Sequence, residues 1–318
     1  INLIMRIPSY LVSVPIPWHE NQSFDKDLFT EILGELKKQY CDGLYLFGTS
    51  GEGYAITDEE FSEIVGHFKE QTWDFSGFLQ VGCFGLSSAQ VKLRCSVCMD
   101  IGIEQAQVTL PFWKELNDEE LELFFQDICH SFPEMKFLLY NNPRNKRRLK
   151  GWELENIHKK CPNLVAAKTG SGNWMEIYEL LKNSPSINHF LTEGAFSFGS
   201  TIREVGLIPS YNYIFSERCR MFFEAVISSQ RERAENLHTE IMEFNLKTAL
   251  PLLNKGYIDG AIDKAYARLG GLNIPLTVRS PYQGLSIKDF EWLNDEVSQF
   301  KSGLENDLSC ETSQTVID

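Results

Sequence analysis

The 318-residue sequence has no uninterrupted apolar run long enough to cross a membrane. A membrane-spanning helix needs about 20 such residues, so we expect no membrane insertion. Basic residues are also scarce, because 30 Lys and Arg face 44 Asp and Glu and leave a formal net charge of −14. Proteins that bind nucleic acids or anionic membrane surfaces in general need the opposite balance. We therefore predict that neither nucleic acid nor a membrane is a partner.

Metal-binding and disulfide patterns are missing as well. The 8 cysteines are scattered through mainly apolar segments, and the close pair Cys95 and Cys98 has no second pair or histidine at zinc spacing. The 6 histidines fall mostly in predicted helices or loops, whereas a metal-dependent barrel enzyme needs them at strand ends. We therefore expect no metal and, from reduced thiols and a start that lacks a signal-peptide pattern, a cytoplasmic protein.

Short β-prone apolar runs alternate with amphipathic segments through the first two thirds of the chain. Helix-start residues lie between the runs, among them Ser23, Thr57 with Glu60 three residues later, Asn117 and Asn173. Eight strand–helix repeats indicate an α/β fold, a (β/α)₈ TIM barrel over residues 1–228. The predicted strands cover residues 10–16, 43–48, 78–83, 106–109, 137–141, 164–168, 189–192 and 206–211.

The pattern changes after residue 228. Charged helical segments follow at residues 230–246, 249–255, 258–269 and 286–300, without a strand pattern between them. We interpret residues 229–303 as a C-terminal helical appendage on the barrel. Residues 304–318 are polar and show no periodicity, which predicts a loose polar tail.

A lysine and a tyrosine end two successive predicted strands, and barrel enzymes carry their active sites at those ends. Lys168 follows the apolar residues 164–167, and partial burial favours the neutral amine that can attack a carbonyl carbon. Tyr140 ends the preceding strand, so its phenol is expected beside Lys168, where it can move protons. The alternatives are a lysine that extends into solvent and a tyrosine at the barrel rim.

The second predicted strand ends in Gly48, Thr49, Ser50 and Gly51. Flexible backbone N–H groups and two hydroxyls in one loop can hold a carboxylate, although an ordinary turn has the same composition. With Lys168 and Tyr140, this loop supplies a carboxylate holder, a proton shuttle and an amine nucleophile.

These motifs resemble the dihydrodipicolinate synthase/N-acetylneuraminate lyase family, the pyruvate-dependent class I aldolases. The resemblance rests on Gly48-Thr49-Ser50-Gly51-Glu52, on Tyr140-Asn141-x-Pro143 and on Lys168, in this order. Val278-Arg279-Ser280-Pro281 is similar to the family's C-terminal Arg-x-Pro turn. The resemblance covers about residues 8–300 and implies an enzyme that forms a covalent lysine imine and needs no cofactor.

The resemblance also implies a role for each matching residue. Lys168 would form a Schiff base with pyruvate, Tyr140 would shuttle protons, and Thr49 would link Tyr140 to a proton relay. The remaining substrate-binding residues it suggests are Ser50, Gly51, Asn142, Arg144 and Ile208, the last through its carbonyl. The partners would be a small 2-keto acid and an aldehyde, and the enzyme would be a homo-oligomer, either a dimer or a tetramer.

Three positions depart from the best-known family members. Asn145 stands where dihydrodipicolinate synthases carry Arg, and Arg144 lies one place earlier. Phe112 and Trp113 replace a Tyr pair that completes the relay, so another group or water must take over. Residues 195–197 replace the acidic pair that binds the polyol of sialic acids.

The favoured hypothesis is therefore a lyase that cleaves or condenses pyruvate with an undetermined aldehyde, preferably an apolar or aromatic one. Dihydrodipicolinate synthase proper is an alternative. A further alternative is a hydratase-aldolase or 2-keto-acid dehydratase that uses the same imine. Phe112, Trp113 and Asn142 resemble the residues that hydratase-aldolases carry at these positions. A hypothesis of another class is a catalytically silent barrel that binds a keto acid.

Overall fold

Eight parallel strands in sequential order form one sheet in the computed structural model, which describes residues 7–170 and 172–314. A parallel bridge between Tyr10 and Leu207 brings the last strand back to the first. The predicted α/β barrel is thus confirmed. The strands are β1 (Leu11–Val14), β2 (Gly43–Leu46), β3 (Phe78–Gly82), β4 (Gln105–Val108), β5 (Lys136–Asn141), β6 (Leu164–Thr169), β7 (Asn188–Leu191) and β8 (Gly206–Leu207).

A helix follows each strand, and four more helices complete the described chain. The barrel helices are α1 (Lys26–Leu36), α2 (Asp58–Gln71), α3 (Ser88–Asp100), α4 (Asp118–Ser131), α5 (Gly151–Lys160), α6 (Trp174–Asn183), α7 (Glu193–Ile202) and α8 (Ser216–Ile227). The C-terminal helices are α9 (Arg231–Lys247), α10 (Ala249–Asn254), α11 (Asp259–Leu269) and α12 (Ile287–Gln314). Short 3₁₀ turns span Pro143–Asn145 and Tyr211–Tyr213.

Side-chain caps start several of these helices. Thr57 begins α2 with a full capping box, in which its hydroxyl accepts from the Glu60 amide and the Glu60 carboxylate accepts from the Thr57 amide. Asn117 and Asn173 cap α4 and α6, as predicted. The prediction of Ser23 as the cap of α1 is wrong, because the carboxylate of Asp25 accepts from the amide of Leu28 instead.

Side chains from seven strands or strand ends meet inside the barrel. They form an apolar cluster separate from the larger core that contains the helix-facing residues. Because side chains alternate between the two faces of a strand, Tyr140 and Lys168 point to the same side as Leu138 and Ala166 of this cluster. The members of the cluster are Leu11, Tyr45, Phe78, Leu138, Ala166, Phe190 and Ile208.

Two predicted segments differ from the structure. The last strand was expected over residues 206–211, but β8 ends at Leu207 because the amides of Ser210 and Tyr211 donate to the carboxylate of Glu193 rather than to a neighbouring strand. The polar tail was expected from residue 304, whereas α12 continues to Gln314. The sequence has no proline after Pro281, so no proline interrupts α12. Residues 315–318 lie outside the described residues.

The described residues also bear on the membrane, metal and disulfide patterns. Within residues 7–170 and 172–314, none of the helices has the length and hydropathy of a membrane span. The same residues include no group of three or more His, Cys, Asp or Glu side chains placed to hold a metal ion. The seven cysteines described are free thiols, and all of them except Cys41 are buried.

An ion pair without solvent contact joins the C-terminal helices to the barrel. The Lys264 ammonium on α11 lies 2.5 Å from a carboxylate oxygen of Glu52, and both side chains are 0% exposed. The Glu52 carboxylate also accepts from the indole of Trp18 at 2.9 Å and from the amide of Arg279 at 2.6 Å. Burial lowers the pKa of Lys264, and Glu52 opposes this shift. Three distant segments therefore meet on one carboxylate.

The substitution Lys264→Met should leave the Glu52 carboxylate buried without its cation. We expect the free energy of unfolding to fall by about 3–5 kcal/mol, the usual cost of removing one partner of a buried pair. Urea denaturation at pH 7 measures this change. Lys38→Met, which breaks an exposed pair with Glu35, is the matched control and should cost less than about 1 kcal/mol. Equal losses in the two variants would contradict the assignment.

Candidate active site

The amine of Lys168 and the ring of Tyr140 lie side by side inside the barrel mouth. Tyr140 of β5 and Lys168 of β6 are direct partners in the sheet register. The Lys168 Nζ atom lies 4.4 Å from the centre of the Tyr140 ring and 5.7 Å from that of Tyr45. Lys168 and Tyr140 are each only 8% exposed. The amine therefore has aromatic rings beside it and little contact with solvent, and low exposure to solvent is one condition that favours an amine nucleophile.

Thr49 reaches the same tyrosine from the loop after β2. Its Oγ1 atom lies 3.5 Å from the Tyr140 hydroxyl, a long hydrogen bond in which either group can be the donor. Lys168, Tyr140 and Thr49, the three predicted catalytic residues, are thus brought together.

The backbone around this loop is unusual. Phe47 and Glu52 have φ angles of +63° and +55°, in the left-handed region that non-glycine residues rarely adopt. A Cβ atom at Gly51 would lie 2.8 Å from the Phe47 nitrogen and 2.9 Å from the Val14 oxygen, so only glycine fits without movement. Close packing of the backbone therefore requires a glycine at position 51.

Ser50 faces a carboxyl group that the sequence did not bring to attention. Its hydroxyl lies 2.5 Å from Oδ2 of Asp263 on α11, and Asp263 is 6% exposed. Burial raises the pKa of Asp263 to about 7, and a hydrogen bond from Ser50 opposes the shift. The predicted carboxylate holder is thus in contact with an acid of the protein itself.

The loop after β5 is closed by hydrogen bonds to its own backbone. Asn142 accepts from the amide of Arg144 at 2.8 Å and donates to the carbonyl of Tyr140 at 3.3 Å. Asn145 is buried and donates to the same carbonyl at 2.7 Å. The Arg144 guanidinium forms an ion pair with Asp259 of α11 at 2.9 Å. Of the residues predicted to bind substrate, Asn142 therefore shapes the loop, and Arg144 is bound to a carboxylate.

Aromatic side chains surround this part of the barrel. The ring of Phe84 lies 6.5 Å from that of Tyr140, and Tyr54 packs edge-on against Tyr282 at 5.3 Å. Phe112 and Trp113, which replace the relay tyrosines, are 38% and 83% exposed.

Glu193 and Phe196, in the segment after β7, are both buried. Phe196 is fully buried and stacks on Phe223 at 5.7 Å, on the helix side of the sheet. Glu193 is buried, which raises the pKa of its carboxyl group, and it accepts from the amides of Ser210 and Tyr211. Ile208 belongs to the apolar cluster inside the barrel.

Tyr45 and Asp263 are site residues that the sequence analysis missed. Tyr45 is fully buried beneath Lys168, its hydroxyl accepts from the amide of Gln107, and burial raises its pKa, which keeps the phenol protonated. Strand alternation from Gly43 to Tyr45 was the available signal for its inward direction. For Asp263 the signal was an acid, next to Lys264, among the otherwise apolar residues 261–267 of a helix.

Comparisons with known proteins agree with this arrangement. The model of the dihydrodipicolinate synthetase family matches residues 7–300. The 4-hydroxy-tetrahydrodipicolinate synthase 1 of Halalkalibacterium halodurans is 22% identical over 86% of this chain and 92% of its own length.

Two solved structures show the same fold. YagE, a prophage protein from E. coli K12 whose structure is in complex with pyruvate, has a TM-score of 0.85 at 15% identity and covers 94% of this chain and 99% of its own. The 4-hydroxy-tetrahydrodipicolinate synthase of Methylacidiphilum fumariolicum SolV has a TM-score of 0.81 at 20% identity, with 95% and 98% covered.

Proposed function

Since the chain belongs to the dihydrodipicolinate synthetase family and is a lyase-type enzyme of that family, we propose that it joins pyruvate to an aldehyde, or releases it from an aldol, through a Schiff base on Lys168. The observation that carries this proposal is the Lys168–Tyr140 pair, an amine with little solvent contact 4.4 Å from the centre of a phenol ring. The chemistry needs a nucleophilic amine and a proton carrier at one carbonyl, and these two side chains supply both.

The reaction proceeds through carbinolamine and imine. The Lys168 nitrogen adds to the keto carbon, and water leaves after Tyr140 transfers a proton to the departing hydroxyl. Loss of a proton from the methyl carbon gives an enamine, which attacks the aldehyde carbon while the aldehyde oxygen takes up a proton and becomes a hydroxyl. Tyr140 can exchange its proton with Thr49, whose hydroxyl lies 3.5 Å away. Hydrolysis of the imine then frees the product and restores the amine, so the proposal requires no cofactor.

The loop after β2 is proposed to hold the keto-acid carboxylate through Ser50 and the amide of Gly51. The pyruvate complex of the E. coli K12 relative supports a keto acid as ligand of this fold. The same loop contacts Tyr140 through Thr49, and this contact supports a carboxylate subsite next to the reacting carbon.

A hydratase-aldolase acting on aromatic adducts is the second candidate. The aromatic surroundings of Tyr140, with the Phe84 ring 6.5 Å away, favour it. Dihydrodipicolinate synthesis, the activity in the names of the sequence relatives, fits less well because Asn145 is buried on the Tyr140 carbonyl and offers no cation. A silent keto-acid-binding barrel would not need the Lys168–Tyr140 pair.

The cellular compartment and the oligomeric state of the enzyme are part of the same proposal. Seven free and mostly buried thiols suit a reducing compartment such as the cytoplasm. A homo-oligomer, dimer or tetramer, is proposed from the family resemblance alone.

Reduction with borohydride in the presence of pyruvate should add a three-carbon group to Lys168. The reason is that borohydride reduces the imine to a stable secondary amine. Intact mass and peptide mapping measure the adduct. Lys168→Arg keeps the charge but should give no adduct. An adduct on another lysine, or none with any 2-keto acid, would refute the mechanism.

Tyr140→Phe should slow imine formation by about 10²–10⁴-fold, the usual contribution of a positioned acid or base. The ring and its contact with Lys168 are kept, so the melting temperature should stay the same. Stopped-flow or quenched trapping with pyruvate measures the rate. Tyr282→Phe, at a side chain that is 45% exposed, is the matched control. Normal rates in Tyr140→Phe would show that another group moves the proton.

An aromatic aldehyde should be a better acceptor than aspartate semialdehyde or N-acetylmannosamine. A site without donors for a carboxylate or polyol cannot replace the interactions these substrates need. Here Asn145 faces its own backbone, Arg144 is paired with Asp259, and Phe196 is buried in the core. Values of kcat/KM with pyruvate measure the preference. A value of about 10⁴ M⁻¹s⁻¹ or more for either polar aldehyde would overturn it.

A further inference from the structure

A buried acid stands behind the loop that is proposed to bind the keto-acid carboxylate. Asp263 contacts the Ser50 hydroxyl at 2.5 Å, and Ser50 and Asp263 are 7% and 6% exposed. An ionised Asp263 and a bound carboxylate would share one hydroxyl between two negative charges, in surroundings that screen charge poorly. The charge state of Asp263 therefore matters for binding.

The contact is built into the packing of α11 on the loop. A Cβ atom at Gly260 would come within 2.6 Å of the Thr49 carbonyl oxygen, so the absence of a side chain there allows the helix to approach. One turn later, Lys264 holds Glu52, the last residue of the loop motif. Asp263 lies between these two anchors, which fix its backbone position beside the loop that carries Ser50.

The Ser50 hydroxyl carries a single proton, so it can donate one hydrogen bond, either to Asp263 or to a ligand. When Asp263 is ionised it is an acceptor only, so Ser50 donates to Asp263 and presents lone pairs elsewhere. When Asp263 is protonated its O–H can donate to Ser50 Oγ. The Ser50 proton is then free for the carboxylate of a keto acid.

Several groups act on Asp263 and set where it titrates. Burial, Asp259 of the same helix and Glu193 of α7 raise its pKa, hydrogen bonds from Ser50 and Ser210 lower it, and together they bring the pKa to about 7. The phenols of Tyr213 and Tyr266 also face it, and burial and Asp263 raise the pKa of each. Asp263 is thus protonated below about pH 7 and ionised above it.

We propose that Asp263 is a positioning residue that must carry a proton for Ser50 to bind the keto-acid carboxylate, so that an ionised Asp263 takes up one proton when the anionic substrate binds. The inference rests on the proposed function, because it assumes that Ser50 holds the carboxylate. According to this inference, binding of the keto-acid anion depends on a proton, and Asp263, the side chain that carries this proton, does not touch the substrate.

Pyruvate titrations of the wild type and Asp263→Asn, from pH 6 to pH 9, test the proposal. The Asn amide can donate to Ser50 at every pH. The ratio of the wild-type dissociation constant to that of Asp263→Asn should therefore be constant below the pKa and rise by up to about tenfold per pH unit above it. The rate of trapping at saturating pyruvate should differ much less between the two proteins. Asp263→Ala, which leaves Ser50 without this acceptor, should give the same trend.

Calorimetry in two buffers of different ionisation enthalpy counts the protons directly. At pH 9 the wild type should take up about one proton more per pyruvate than Asp263→Asn does, because the wild-type acid starts ionised. Asp295→Asn, at an exposed position on α12, is the matched control and should behave as wild type. In a Ser50→Ala background, Asp263→Asn should lose most of its effect, because the acid acts through that hydroxyl.

Trapping at pH 6 separates failure of this inference from failure of the proposed function. If pyruvate forms an adduct on Lys168 but the dissociation-constant ratio and the proton count are independent of pH, the role of Asp263 is refuted and the Schiff-base mechanism stands. If the Asp263→Asn effect persists unchanged without the Ser50 hydroxyl, the coupling through Ser50 is refuted. If no adduct forms at pH 6, both proposals fail.

Discussion

Compensation of the buried Glu52 carboxylate is the constraint on which the site depends. Glu52 ends the loop that carries Thr49 and Ser50, and its charge has no solvent to face. Trp18, Lys264 and the Arg279 amide satisfy it together, so the barrel, α11 and the C-terminal turn are bound to one group. A buried charge is costly unless it is paired and hydrogen-bonded, so these three segments are held in a single arrangement.

The arrangement of these three segments determines which side chains lie near Lys168 and Tyr140. Sheet register alone places Lys168 beside Tyr140, because the ends of neighbouring parallel strands meet at the same edge. Helix α11 forms a further side of the candidate site, because it brings Asp259 to Arg144 and Asp263 to Ser50. The helical appendage therefore forms part of the wall of the proposed active site, although it lies outside the barrel in sequence.

Local patterns predicted most of the fold and the centre of the site. Strand and helix alternation, the cap at Thr57 and the strand-end positions of Tyr140 and Lys168 are all readable within a few residues of sequence. Asp263 was not found because its contact with Ser50 joins residues 213 positions apart, and no local signal records which loop a helix packs on. The end of β8 was misplaced for a similar reason, since the amides of Ser210 and Tyr211 donate to Glu193, which begins α7 and precedes β8 in the sequence.

The distance along the chain between Glu52 and Lys264, 212 residues, has a consequence for synthesis of the protein. At the usual 5–20 residues per second, a ribosome adds Lys264 roughly 10–40 s after Glu52. During that interval the strands that carry Tyr140 and Lys168 are made, while the Glu52 carboxylate has no cation from α11. A chain cut short before residue 264 would thus contain Lys168 and Tyr140 but lack the α11 contacts of the loop that is proposed to bind the substrate anion.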